Sequence, residues 1–205
     1  MFIRTCSILS ARATFANPSD PVVGVCLGIY SHILSEEKVN EYVITYARAL
    51  DDAIERYGFS IVFLPHYVSG FHYDDLEMSQ LILGRMRNKD RVRIVNMTSV
   101  DEFRSLLGRM NMVISSKMHP AVFATSQYVP TLCIAYDQKQ TGYFERLSMT
   151  DCVISVRKVS YQDLLSKIGY VWNRREKIAA SLREVIPTLK EETKEAIKFA
   201  LSPFL

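Results

Sequence analysis

The chain has 205 residues, 48% hydrophobic and 23% charged, with a formal net charge of +3. That is an ordinary globular composition, long enough for one domain with an appendage and its own core. The charge surplus is too small to argue for nucleic acid or an anionic membrane, and no apolar run nears the roughly 18 residues of a membrane span. Cys6, Cys26, Cys133 and Cys152 are scattered, without a CxxC pair or a histidine at ligand spacing. They point to a reducing compartment and offer no metal site.

Residues 1–20 read as a lead-in or linker remnant, because the apolar run after Arg4 is too short and broken for a targeting peptide. From Pro21 the pattern sharpens. Residues 22–27 are a continuous apolar run, as in a buried parallel strand, and Gly28 ends it. Ser35 can cap a helix whose first turn is acidic, with Val39, Val43, Ala47, Leu50 and Ile54 at helical spacing until Tyr57-Gly58 stops it. Residues 60–64 form the second strand, running into Pro65-His66-Tyr67. A helix begins at Asp74-Asp75, a third strand covers 92–95, and Ser99 caps the third helix.

The fourth and fifth strands, 112–114 and 131–135, bracket a helix that starts after Lys117. Pro120 is tolerable only in that helix's first turn, which puts His119 at its N-terminal end. A short sixth strand at 152–155 is followed by helices over 161–172 and 174–201, the latter kinked or divided at Pro187. Alternating strand and helix predict an α/β fold with a doubly wound, mostly parallel Rossmann-like sheet over 21–173. Residues 174–205 form a helical extension packing on it.

Right-handed crossovers bring the strand C-termini to one rim, where ligands of such sheets sit. His119 is the leading acid/base candidate, since a helix N-terminus disfavours imidazolium unless an anion is bound. Lys117 adds positive charge beside open helix amides, a seat for phosphate or carboxylate. Ser115 and Ser116 can cap the helix or bond a ligand. His66, Thr98, Tyr136 and Lys139 complete the binding candidates on neighbouring rim loops. Asp74 and Asp75 read as a helix start rather than a catalytic carboxylate pair. Neither GxGxxG nor GxxxxGK[ST] occurs, so the common dinucleotide and P-loop signatures are missing.

The run SSKMHPAVFATSQYVPTLCIAYDQKQTGYFERL resembles the C-terminal half of polysaccharide pyruvyl transferases. The matching pieces are Ser116-Lys117-Met118-His119, Val129-Pro130 and Tyr136-Asp137-Gln138-Lys139. The earlier Val-Gly-Val strand and Leu64-Pro65-His66 with Asp74-Asp75 occur in matching order. The resemblance implies the C-terminal half of a GT-B-like fold. It also implies transfer of a pyruvyl group from phosphoenolpyruvate to paired hydroxyls of a cell-surface glycan or lipid-linked sugar, with no further cofactor. Carried over, His119 is the general acid/base and Lys117 neutralises the donor. Family members usually carry arginine in place of Lys117, and many carry one just after the first strand, where this chain reads Leu27-Gly28-Ile29. Lysine lacks arginine's planar two-pronged grip on an oxyanion.

The resemblance further implies a second Rossmann-like domain as the opposite cleft wall, from a separate N-terminal domain or a homo-oligomer, and a cytoplasmic or peripheral inner-membrane location. Two other readings stay open. One is a glycosyltransferase or epimerase half-domain using a nucleotide-sugar, for which Asp137 is the one rim carboxylate, better explained as a helix cap. The other is a non-catalytic truncated module that binds a glycan.

Overall fold

The computed structural model describes residues 2–4, 19–28, 35–70, 74–97 and 99–202. The strands are β1 (Phe2–Arg4), β2 (Val22–Cys26), β3 (Ser60–Phe63), β4 (Val92–Asn96), β5 (Met112–Ser115), β6 (Thr131–Ala135) and β7 (Val153–Ser155). The helices are α1 (Glu36–Tyr57), α2 (Asp75–Arg85), α3 (Val100–Leu107), α4 (Met118–Thr125), α5 (Gln138–Arg146), α6 (Tyr161–Asn173) and α7 (Arg175–Leu201). All pairings among the described strands are parallel, in the order β1-β4-β3-β2-β5-β6-β7.

The central strands are aliphatic because both sheet faces are covered. Val23, Val25, Ile61 and Ile114 pack in the larger core with α1, α6 and the first half of α7, while Val22, Val62 and Val113 meet Phe103, Leu106 and Leu107 of α3 on the other side. Side chains cap several helix starts at the rim: Asp74 for α2, Ser99 for α3 and Asp137 for α5 each accept backbone amides of the first turn. Gly58, at φ 70°, closes α1 by donating its amide to the Ile54 carbonyl.

One expectation changes and one narrows. A seventh strand is present, because residues 2–4, within the expected lead-in, pair with β4 at the sheet edge. Of the two alternatives at Pro187, a kink or a division, the division is absent, since α7 runs through it. Proline there removes one helical hydrogen bond, but Ile186 and Leu189 still pack on the core either side of it. Cys26, Cys133 and Cys152 are buried free thiols; burial pushes Cys133 up to about 12 and Cys152 to about 11. No helix among the described residues is long and apolar enough to cross a membrane.

Candidate functional site

Strand order reverses between β2 and β5, the switch point at whose C-terminal edge open α/β sheets bind ligands. The two exits are stitched together. The Ser116 hydroxyl accepts from the Gly28 amide at 3.0 Å and lies 3.3 Å from the Gly28 carbonyl oxygen. The Ser115 hydroxyl accepts from the Lys117 amide at 3.0 Å. Both serines are fully buried, so they hold rim backbone in place and are not open to a ligand.

Gly28 makes room for the side chain of Lys117. A Cβ at this position would lie 2.1 Å from Lys117 Cε and 2.5 Å from both Lys117 Nζ and Asp75 Oδ1. The lysine stem therefore crosses the backbone where a side chain would stand, and its ammonium meets the Asp75 carboxylate at 3.0 Å. Asp75 is 2% exposed. Its other oxygen accepts from the His66 and Tyr67 amides at 3.1 and 2.8 Å. One carboxylate thus ties the β3 exit, the start of α2 and the start of α4 into a single unit.

His119, the second residue of α4, is exposed at this rim. Its ring stacks on that of His66 with centroids 5.9 Å apart and planes at 26°. Behind the pair, Phe103 lies 5.4 Å from His66, and Phe123 lies 6.4 Å from His119. Partial burial lowers the His66 pKa below its ordinary 6.5; Asp75 pulls the other way, and His119 and Lys117 add to the lowering. Asp74 resists its own burial: four backbone amides, from Ser69, Gly70, Leu76 and Glu77, hold its carboxyl below the ordinary value. That makes it a cap, as its place at a helix start suggested.

A cleft of about 360 Å³ opens beside His66, floored by Phe103 and Phe123 and walled by Val68, Met97 and Val100. Thr98, between Met97 and Ser99, lies outside the described residues, as do His32 and His72. On the far side, Gln140 joins the α5 entry to the site, donating to the Ser116 carbonyl at 3.1 Å and accepting from the Tyr136 amide at 2.9 Å. Tyr136 is partly buried. Lys139 is exposed on the first turn of α5 and makes no hydrogen bond or ion pair to the His66–His119 group among the described residues.

The structure brings together His119, His66 and Lys117, with the two serines beneath them. Sequence reasoning missed Asp75, hidden beside an aspartate that needed only a capping role, and Gly28, which looked like a strand end. It also missed Gln140 and the aromatic floor. A second acid where one cap suffices was the available signal for Asp75. Phe103 and Phe123 sit in helices whose other faces are core, so nothing in their spacing marks them.

A Rossmann-like α/β sheet with a candidate site at the switch point is the class these features define. Within it the chain belongs to the polysaccharide pyruvyl transferase family, whose model matches residues 13–138. No curated protein matches it significantly in sequence. Among solved structures it resembles a Listeria monocytogenes protein described as a UDP-N-acetylglucosamine 2-epimerase, at 13% identity and a TM-score of 0.60 over 97% of this chain and 49% of that one. It also resembles the S. aureus MnaA–UDP structure, at 14% identity and 0.59, with the same coverages. A UDP-glucose:anthocyanidin 3-O-glucosyltransferase in complex with UDP aligns at 15% identity and 0.58, over 89% of this chain and 38% of that one. At such identities the likeness is one of fold, a Rossmann-like half of a GT-B-like architecture. The chain spans about half the length of these relatives or less.

Proposed function

We propose that this chain is the donor-binding and acid/base domain of a transferase that moves the pyruvyl group of phosphoenolpyruvate onto two hydroxyls of a glycan sugar, forming a cyclic ketal. The observation that carries the reading, beyond family membership, is the exposed His119 beside Lys117 at the opening turn of α4. The capping residue Lys117 makes no side-chain bond to the α4 amides, and helix-start amides are a seat for phosphate or carboxylate oxygen. Lys117 adds an ammonium, held in place by Asp75 at 3.0 Å.

The chemistry suits these groups. Imidazolium at His119 delivers a proton to the enol methylene, leaving a cationic carbon that bears the phosphate oxygen. A sugar hydroxyl adds to that carbon, and its proton returns to the imidazole. The C–O bond to phosphate then breaks, and a second hydroxyl closes the ring as its proton passes to the departing phosphate. The products are the ketal and inorganic phosphate. Cationic and amide donors around the donor anion stabilise the phosphate as it leaves.

A second domain, on a separate chain or a second copy, completes the cleft in this reading, and the acceptor is a glycan or lipid-linked sugar. The test is a transfer assay with phosphoenolpyruvate and such an acceptor. His119→Ala is expected to lower the rate by about 10²–10⁴-fold, while the melting temperature stays put because the ring is exposed. Undiminished transfer by that variant would remove His119 from the reaction. Thermal stabilisation by UDP-sugars and not by phosphoenolpyruvate would favour a nucleotide-sugar enzyme instead.

A further inference from the structure

The switch point has two compartments of different chemistry, and only one suits an anion. Lys117, the α4 amides and Gly28 lie on the β2/β5 side, where the carboxylate of Asp75 holds the ammonium in place. The 360 Å³ cleft lies on the β3/β4 side, beyond His66. It is lined by Phe103, Phe123, Val68, Val100 and Met97, with His66 and Ser99 as its polar groups, and no lysine or arginine among the described residues lines it. Ser99 already caps α3, its hydroxyl accepting from the Glu102 amide at 3.2 Å. A doubly charged phosphorylated acid would lose most of its hydration there and gain little in return.

We infer that this aromatic-floored cleft is the subsite for the uncharged sugar ring of the acceptor, separate from the anion seat at the start of α4, with the stacked His66 and His119 standing between the two. The assignment rests on the proposed transferase function and adds to it where each substrate goes. The size fits one ring: the cleft is at the small end of ligand pockets, which run about 300–1,000 Å³. The chemistry fits as well. The partly buried Phe123 ring, backed by the buried Phe103 ring 6.3 Å away and nearly edge to face, offers a quadrupolar surface to the C–H face of a pyranose. A few polar groups in an apolar wall is the usual make-up of a site that orients a neutral ligand. His66 lines the cleft and, in this assignment, bonds a ring hydroxyl, with His119 5.9 Å away toward the start of α4.

Val100, 63% exposed at the mouth of the cleft, gives a variant that does not threaten folding. Isotope-labelled protein is titrated separately with phosphoenolpyruvate, with methyl hexopyranosides up to their solubility, and with UDP-N-acetylglucosamine, and the shifted NMR resonances are mapped. Phosphoenolpyruvate is expected to move the amides of Lys117, Met118 and His119, and a methyl hexopyranoside those of Val100, Phe103 and Phe123. Val100→Trp should weaken glycoside binding by roughly tenfold and leave phosphoenolpyruvate binding within about twofold. Phosphoenolpyruvate shifts centred on Phe103 and Phe123, glycosides that move none of the cleft residues, or a nucleotide-sugar occupying the cleft would each overturn the assignment. Glycoside shifts in the cleft with no phosphoenolpyruvate binding anywhere would instead sink the donor reading and leave the sugar subsite standing.

Discussion

Gly28, Asp75 and Lys117 depend on one another at contact distance, and the absence of a side chain at Gly28 is what lets the other two meet. Gly28→Ala places a methyl group on the lysine stem and against the carboxylate oxygen, so the lysine must leave. Asp75 then keeps its two amide donors but loses its cation while 3% exposed at the side chain. Breaking a buried pair from one side costs about 3–5 kcal/mol, and the retained amides place this variant at the lower end. Urea denaturation should show a fall of about 3 kcal/mol. An unchanged midpoint would mean that the pair is not held as described.

His66 carries a pH signature. Its folded pKa lies below the ordinary 6.5, chiefly through burial. The folded protein therefore binds its proton less readily than the unfolded chain does. The resulting stability is fully present above the unfolded value and is lost as pH falls through the folded one. Stability should thus decline on acidification from neutral pH, and His66→Gln should flatten that decline. Equal slopes in the variant and the parent would show that His66 does not contribute.

At the scale of elements, the rim is held by side chains that tie one loop to the next, and these ties were the least legible part of the sequence. Strand runs such as 22–27 and 131–135 were plain because both faces are buried, and helix starts at Ser99 and Asp137 because capping is local chemistry. Long-range partners leave no such trace. Asp51 is an example: it sits mid-helix in α1, is 2% exposed, and accepts from the Arg87 and Asn88 amides at 2.8 and 3.0 Å. It fixes the turn between α2 and β4 from 36 and 37 residues away. Asp51→Ala should lower stability by about 2–3 kcal/mol, the cost of stranding buried donors, without altering phosphoenolpyruvate affinity. Denaturation and binding measured together check this, and a drop in affinity matching the drop in stability would show that the turn is coupled to the site.

The candidate site was legible in part for the same reason. His119 and Lys117 were found because Pro120 fixes where their helix begins, and His66 because a proline precedes it at a strand exit. Ser115 and Ser116 were expected at the ligand, but the strand exits converge so closely that both hydroxyls turn to backbone. The edge strand at residues 2–4 went unseen because three residues beside a long connection carry no period to read.

At the scale of the whole molecule, the sheet closes its core without help, but its ligand rim opens to one side. The distal half of α7 also stands clear, with Ile197, Phe199 and Leu201 exposed. The relatives of similar fold are about twice as long or more. In the transferase proposed above, a second wall completes the cleft, while the proposed donor seat consists of Lys117 and the α4 amides. Titration calorimetry of the protein with phosphoenolpyruvate is the decisive test of that seat. Saturable binding is expected, weakened by Lys117→Met by at least about tenfold, a loss of about 1.4 kcal/mol, with no comparable heat from UDP-N-acetylglucosamine. No phosphoenolpyruvate binding alongside tight nucleotide-sugar binding would contradict it.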